Sequence, residues 1–456
     1  MVSKGTTKPY LHFVGGNASD VTGSCTIVRF DKIKLAVDMG IIQTNNIVAD
    51  YRANRDLMKK IKPKTLHGVV CLHNHGDHLF GTLLGVHMGM NAHIYVPEGS
   101  LPIMQIMLED CVKILEADAL KLQHKHGIKA SPLATQEDIE KVMNRCIEVP
   151  FNKPTEIVGG AILTLYDAGH IANSAQCVLE IKQGYVTKRI GFTSDICNEA
   201  KSKSVRPLQS LPRVDCLVGE CTYSDPTRCY SMKKDRWYDE QMIKTAISQY
   251  NRVLIPTFAN QRLEDILQVL EKLEIKKRIY VDTPLGQKIY DNWVEPLKFT
   301  ETLDLKFVNN WPESQALQVS HEPCVIVSSS GMLSAGRAIS YLKFLLPNPN
   351  NAILFVGYSA ENTLATEIKQ GNKVIKVDGE IVPNRAQIYS LNSFSSHSNY
   401  NQLMDYYQSL DYLKLCLVHS KYETKVTFAY ELQNRLVKQG NSARVVAINQ
   451  DSKIYI

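Results

Sequence analysis

Six consecutive residues, His73-Asn74-His75-Gly76-Asp77-His78, come directly after an apolar run, His67–Leu72, that reads as a β-strand. The order predicts a loop at the carboxyl end of a strand, where a rigid sheet can hold reactive groups in fixed positions. Imidazole and carboxylate are suitable ligands for zinc and similar divalent ions. In an extended or turning loop, positions i and i+2 can face one ion, and the next Asp-His pair can face a second. H-E-x-x-H works differently, since helical spacing there presents two histidines to a single zinc. The alternative is a chance group of solvated histidines, and it leaves so dense a cluster unexplained.

Further ligand types occur where other apolar strands end. Asp167-Ala168-Gly169-His170 comes after Ile162–Tyr166, Thr193-Ser194-Asp195 ends Arg189–Thr193, and His419 ends Leu413–Val418. Taken singly, each is more often a loop-capping Asp or an ordinary half-buried His. Together with the first cluster they supply enough donors for two ions.

The chain alternates short apolar strands with amphipathic helices, which implies a layered α/β architecture. Early strands are expected at Cys25–Phe30, Lys34–Asp38, His67–Leu72 and Ala92–Val96, with two helices between Leu101 and Arg145. From about Leu217 the pattern becomes regular strand–helix–strand, with strands at Val253–Phe258, Arg278–Val281, Cys324–Ser328 and Ala352–Val356. That spacing favours a parallel sheet and a second domain. A β-ribbon is expected over Val374–Tyr389, then helix, strand, helix and a strand at Ala443–Ile448. With 456 residues, two or three domains are expected. No apolar run approaches the roughly 18 residues of a membrane span, and the first residues carry no apolar signal segment.

Charge decides little. Lys plus Arg (52) exceeds Asp plus Glu (46) by six, which is compatible with a polyanionic partner without requiring one. The 11 cysteines form no C-x-x-C pair, which argues against a zinc knuckle and a secreted disulfide framework. They read as small buried hydrophobes in a reducing, cytoplasmic setting.

The order Asp38, H-x-H-x-D-H, His170 and Asp195 resembles the metallo-β-lactamase superfamily. The chain beyond Asp195 resembles that superfamily's β-CASP branch of nucleic-acid-processing nucleases. The residues concerned are Glu220 in Val218-Gly219-Glu220-Cys221-Thr222-Tyr223, His397 in Ser393-Phe394-Ser395-Ser396-His397-Ser398, and His419 in Val418-His419-Ser420. Ser328-Ser329-Ser330-Gly331-Met332 and Leu354-Phe355-Val356-Gly357-Tyr358 are similar to that branch as well. The resemblance implies an αββα metallo-β-lactamase sandwich, residues 1–211 and 389–456, with an inserted β-CASP α/β domain of largely parallel sheet at 212–388. It implies two Zn2+ ions, with Mn2+ as the alternative. One would be held by His73, His75, His170 and Asp195, the other by Asp77, His78 and His419, with Asp195 bridging. Asp38 would orient ligands. His397 would be the general acid, hydrogen-bonded to Glu220.

Two ions about 3.5–4 Å apart can generate hydroxide at neutral pH and stabilise both oxygens of an in-line displacement. Imidazole suits proton donation because its ordinary pKa is about 6.5. Arg262, Ser329 and Ser330 are candidates for holding a substrate phosphate, since guanidinium and turn hydroxyls both bind oxyanions. The basic clusters Lys59–Lys64 and Lys276–Arg278 read first as solvated surface, with RNA contact as the alternative.

The implied function is a zinc-dependent endoribonuclease acting on single-stranded RNA. The alternatives are a 5′→3′ exoribonuclease of the RNase J type and a small-molecule metallohydrolase. A catalytically silent scaffold is disfavoured by the full ligand set. RNA is the expected partner; a homodimer and RNA-processing partner proteins are compatible with the sequence, and a membrane is not expected. Three positions depart from the branch's usual pattern: Ala172-Asn173 stands after His-Ile where Leu-Gly is frequent, Ser420-Lys421 succeeds His419 where Gly is frequent, and Asn260-Gln261 precedes Arg262 where Val-Gly is frequent.

Overall fold

The computed structural model describes residues 8–456 apart from 19, 45, 184, 200–201, 229–231, 294–297, 358 and 360–362. Strands β1 (Tyr10–Phe13), β2 (Thr26–Phe30), β3 (Ile33–Val37), β4 (Gly68–Val70), β5 (His93–Pro97) and β6 (Cys146–Val149) come first. Next are β7 (Thr155–Glu156), β8 (Ile162–Asp167), β9 (Ala175–Gln183), β10 (Val186–Phe192) and β11 (Val214–Glu220). A second group comprises β12 (Arg252–Pro256), β13 (Ile279–Asp282), β14 (Leu305–Phe307), β15 (Cys324–Ser328) and β16 (Asn351–Phe355). The hairpin β17 (Val374–Val377) and β18 (Glu380–Pro383) precedes β19 (Gln387–Ser390). The chain ends with β20 (Tyr412–Val418), β21 (Arg444–Ala447) and β22 (Lys453–Tyr455).

Two compact units result, one built from residues 1–229 with 396–456 and the other from 230–395. The first contains two seven-stranded sheets, ordered β22-β1-β2-β3-β4-β5-β6 and β21-β20-β11-β10-β9-β8-β7. Leu35, Val70, Leu163, Leu179, Ile190 and Val418 belong to one buried cluster between these sheets. A second cluster packs the outer face of the first sheet beneath helices, using Leu57, Ile61, Leu83, Met104 and Ile139. A third packs Tyr400, Tyr407, Phe428 and Leu432 of two C-terminal helices onto the other sheet. These make four layers in the αββα order. Strands covered on both faces read as nearly continuous apolar runs, as Ile27 and Val28 illustrate by entering different clusters.

The second unit has a six-stranded sheet, ordered β14-β13-β15-β12-β16-β19, in which every pairing is parallel. Helices cover both faces: Ile243, Ile266 and Leu270 pack one side, and Tyr341, Leu345 and Ile368 the other. Parallel strands need crossover connections, and the helices supply them.

The expected boundaries shift. A cut after residue 211 assigns β11 to the inserted domain, but β11 pairs with β10 and β20 in the first unit's second sheet. The unit boundaries fall at 229/230 and 395/396. The ribbon expected over Val374–Tyr389 is a hairpin only to Pro383, since β19 joins the parallel sheet beside β16. Among the described residues, no helix is long and apolar enough to cross a membrane.

Strand direction gathers the site. Strands β10, β11 and β20 are adjacent and parallel, and β8 runs the same way through antiparallel β9. Asp195, Glu220, His419 and His170 therefore leave one edge of one sheet. In the other sheet β3 and β4 are parallel neighbours, so Asp38 and the His73–His78 loop leave together. That loop seats directly on the end of β3: Met39 N–H donates to His78 O at 2.7 Å, and Ile41 N–H donates to Gly76 O. A Cβ on Gly40 would lie 1.6 Å from the Asp77 carbonyl oxygen. Backbone meets backbone there, and no side chain can be placed. Gly40→Ala is expected to lower unfolding stability by about 2 kcal/mol or more, because the contact has no flexible partner to yield. Urea unfolding checks it, and an unchanged midpoint contradicts the packing described.

Candidate metal centre

His73 and His75 lie in the loop after β4, and His75 caps a one-turn helix, Gly76–Leu79, that carries Asp77 and His78. The loop's two donor pairs diverge as expected. One group joins His73, His75, His170 and Asp195, and a second joins Asp77, His78, Asp195 and His419, the ligand atoms within each lying inside 4.8 Å of one another. Asp195 belongs to both. Its Oδ2 lies 3.6 Å from His73 Nε2 and from His170 Nε2, while Oδ1 lies 3.4 Å from His78 Nε2 and 3.6 Å from His419 Nδ1. One carboxylate thus faces two ligand sets, one oxygen to each.

Hydrogen bonds fix the ring orientations. His170 Nδ1 donates to the Ser396 carbonyl at 2.7 Å, so its Nε2 keeps a lone pair for the cluster. That Nε2 lies 3.1 Å from His75 Nδ1. Asp38 Oδ1 accepts from Leu72 N–H at 2.9 Å, and its Oδ2 lies 2.8 Å from His78 Nδ1. Carboxylate support behind a ligating imidazole sets both its tautomer and its basicity. His419 has its N–H on Asn17 O at 2.6 Å, its Nδ1 2.8 Å from Thr222 Oγ1 and its Nε2 3.2 Å from Asp77 Oδ2.

Three of these strand ends are left-handed: Asp38, Ser194 and His419 have φ of 54°, 49° and 63°. Such conformations cost of order 1–3 kcal/mol each in non-glycine residues and concentrate at functional sites.

Burial and charge set the proton distribution. Burial pushes the imidazoles of His73, His75 and His170 below their ordinary value, with His73 and His170 well below it. Neutral imidazole is the form that binds metal. At His78 and His419 burial acts in the same direction, but Asp195 and Asp77 outweigh it, joined by Asp38 at His78, and both rings are raised. Burial alone would raise Asp77 and Asp195. The His78 and His419 rings instead hold both carboxyls well below the carboxylate range.

The donor set suits a divalent ion on two further observations. His73 Nε2 and Asp195 Oδ1 are buried without an aligned hydrogen bond, an arrangement that is costly unless another charge satisfies them. A cavity of about 20 Å3 bordered by Asp38, His78, Asp195 and His419 lies alongside. Its size matches a water molecule or an ion.

His397 stands beside this cluster. Its Nδ1 lies 3.2 Å from Glu220 Oε1, and its Nε2 lies 3.9 Å from Asp195 Oδ2. Glu220 is anchored by Ile196 N–H on Oε1 and by Thr222 N–H on Oε2. The ring is 19% exposed, whereas that of His170 is 1% exposed, so it alone of the two can meet solvent.

The seven expected ligands and His397 come together, with Asp38 and Glu220 behind them. Arg262, Ser329 and Ser330 belong to the second unit: Arg262 opens the helix Arg262–Lys272 after β12, and Ser329 and Ser330 follow the adjacent strand β15. The guanidinium of Arg262 is drawn to Asp265, 3.3 Å away on its own helix, and Ser330 Oγ is buried without a hydrogen bond. Tyr358, at the end of Leu354-Phe355-Val356-Gly357-Tyr358, lies outside the described residues. Sequence reasoning did not single out three orienting groups, Ser194, 3.1 Å from Asp38 Oδ2, Asn17 and Thr222, nor Ser24, whose hydroxyl lies 3.1 Å from the cluster-facing His78 Nε2. Ser194 adjoins Asp195 and Thr222 lies near Glu220, but only the fold reveals their partners. At the departures from the branch's pattern, Ser420 is buried with its hydroxyl 3.2 Å from Ser224 Oγ, and Asn173 donates to Gly99 O.

Residues 263–368 match the Beta-Casp domain family, and residues 381–445 match the Zn-dependent metallo-hydrolase RNA specificity domain. "Ribonuclease TTHA0252" of Thermus thermophilus is 28% identical over 90% of this chain and 92% of its own length. "RNase J-like protein" of Methanocaldococcus jannaschii is 26% identical over 93% and 96%. "Transcription termination factor FttA" of the same organism is 27% identical over 94% of this chain and 69% of its own. A crystal structure of a protein of unknown function from Enterococcus faecalis aligns over 99% of this chain and 100% of its own with a TM-score of 0.58 at 10% identity, a likeness of fold.

Because the raised pKa values load His78 and His419 with protons in the metal-free protein, ion binding must displace them. Divalent-ion affinity is expected to rise with pH above the ordinary imidazole range and to release protons at about pH 7. Calorimetry in buffers of different ionisation enthalpy detects this, and identical heats in all of them contradict it. Asp38→Ala is expected to weaken ion affinity about 10–100-fold, read by chelator competition.

Proposed function

The chain belongs to the β-CASP branch of the metallo-β-lactamase superfamily, and on that premise we propose that it is a two-zinc endoribonuclease acting on single-stranded RNA. The observation that carries this reading is Asp195, with its two oxygens facing two separate ligand sets. His73, His75 and His170 would hold one ion with Asp195, and Asp77, His78 and His419 the other. When bound, such an ion pair lowers the pKa of water and neutralises charge on a phosphoryl group.

The remaining work falls to the protein's own groups. Asp38 keeps His78 turned toward the cluster through Nδ1, and the Ser396 carbonyl does the same for His170. Glu220 accepts from His397 Nδ1–H, which leaves Nε2 directed toward the cluster side, 3.9 Å from Asp195. A protonated His397 can there deliver a proton to the departing ribose oxygen. In acid–base catalysis a positioned group of this kind contributes about 10²–10⁴-fold. Arg262, Ser329 and Ser330 are assigned to the substrate's phosphates. Two relatives named as ribonucleases support RNA as substrate, and the match to a zinc-dependent family supports zinc over manganese.

His397→Ala is expected to lower turnover by about 10²–10⁴-fold while metal content, measured by elemental analysis, stays at wild-type level. Loss of metal together with activity would instead make His397 a ligand. Matched linear and circular single-stranded RNAs test the mode of cleavage. The zinc-loaded protein is expected to open the circle. Degradation of the linear form alone establishes an end-dependent exonuclease and overturns the endonuclease reading.

A further inference from the structure

An unneutralised group of cations lies at the opposite end of the first unit's sheet from the metal centre. Strands β4 and β5 end at the metal-centre side, while a depression of about 630 Å3 opens where they begin, at His67 and Ala92. From His67 to His73 the chain is nearly extended, so the two places are about 20 Å apart. The volume lies within the roughly 300–1,000 Å3 of small-ligand clefts.

Its polar lining comprises Arg29, Lys64, Thr65, His67 and Asn91, without a carboxylate among the lining residues. Arg29 and Lys64 make no ion pair among the described residues. Lys34 N–H donates to His67 Nδ1 at 3.2 Å, which puts the proton of the neutral ring on Nε2, a donor. Asn91 Oδ1 accepts from Arg145, leaving its NH2 as the group it can offer. Every unengaged polar group in the lining is thus a cation or an N–H donor.

Register adds a second observation. Arg29 and Lys34 are direct cross-strand partners on β2 and β3. Like charges placed opposite one another destabilise a sheet pair. Lys34 is buried, with its ammonium bonded to Ile61 O and to Oγ1 of Thr65, a residue of the lining. Its pKa falls to about 8, chiefly through burial and then through Arg29 and Lys62. No acid answers either charge in the contacts described, so the fold carries the repulsion at a place where a bound anion would relieve it.

We propose that this depression is a phosphate-binding groove, remote from the metal centre, that grips phosphate esters through Arg29, Lys64 and the Nε2–H of His67. An RNA backbone and a free nucleotide share that chemistry. The RNA source rests on the proposed function, whereas the groove itself does not.

The test uses the full chain stripped of metal with a chelator, so that nothing is cleaved. Binding of a short labelled single-stranded RNA is measured against salt for wild type and Arg29→Gln/Lys64→Gln. Loss of two phosphate contacts is expected to reduce the salt slope of log K by about 1.4. In parallel, inorganic pyrophosphate and AMP are added in thermal-melt assays. A rise in wild-type Tm that the double variant lacks assigns the groove to small phosphates. A slope change without that rise assigns it to an RNA strand. The anion-free double variant is expected to melt no lower than wild type, since a repulsive pair is removed. Equal slopes together with equal melting responses overturn the groove, and they do so whether or not the metal-loaded protein cleaves RNA.

Discussion

A desolvated carboxylate, Asp195, sits among the four imidazoles of His73, His170, His78 and His419, and the first unit is arranged so that this contact can exist. Taking ionised groups out of water costs several kcal/mol each unless opposite charge and hydrogen bonds replace the solvent. The compensation must come from strands of two different sheets, because β4 supplies His73 and His78 while β8, β10 and β20 precede the others. A slip of one residue in any of these registers would turn the ligand to the wrong side of its strand. The apolar layer between the sheets, filled by residues such as Leu35, Val70, Ile190 and Val418, fixes those registers from below. Hydrophobic packing and the polar cluster therefore specify one another.

The members of the candidate cluster were readable because they stand just beyond apolar strands, and strand ends survive errors in strand length. The His73–His78 cluster needed no alignment, while the pairing of His397 with Glu220 was available only through the family resemblance. Other features stayed hidden for physical reasons. β1 has four residues with His12 among them, and β22 has three, so neither makes an apolar run. β1 is held by β2 on one side and by β22 on the other, and β22 is a strand because β1, from the opposite end of the sequence, pairs with it. The helix Ile47–Ile61 has a narrow apolar face, Leu57, Met58 and Ile61, among charged residues. β11 looked like the start of the inserted domain because its sequence, Val-Asp-Cys-Leu-Val-Gly-Glu, suits a parallel sheet of either unit. Its neighbours decide the matter, and a neighbour is a tertiary fact.

The inserted unit shows the same principle with different chemistry. Asp282 is fully buried at the end of β13 and receives Ser314 Oγ, Tyr341 OH and the Arg337 guanidinium. Three donors on one carboxylate hold the helices after β14 and β15 to the sheet's carboxyl edge, the edge that also carries Arg262 at the start of its helix and the loop of Ser329 and Ser330. Groups of low intrinsic order are thereby mounted on a rigid margin.

β20 runs through one sheet, and β22 closes the other against β1, so the segment from Tyr412 onward completes both halves of the sandwich. Lys425, wholly buried, ties the opening turn to the closing segment through the carbonyls of Ala18 and Ile448. A chain made only as far as residue 411 lacks both His419, the last member of the cluster, and the strand β20 that seats it. The order of synthesis therefore places the closing of both sheets, and of the cluster between them, after the inserted unit and most of the first unit have been made.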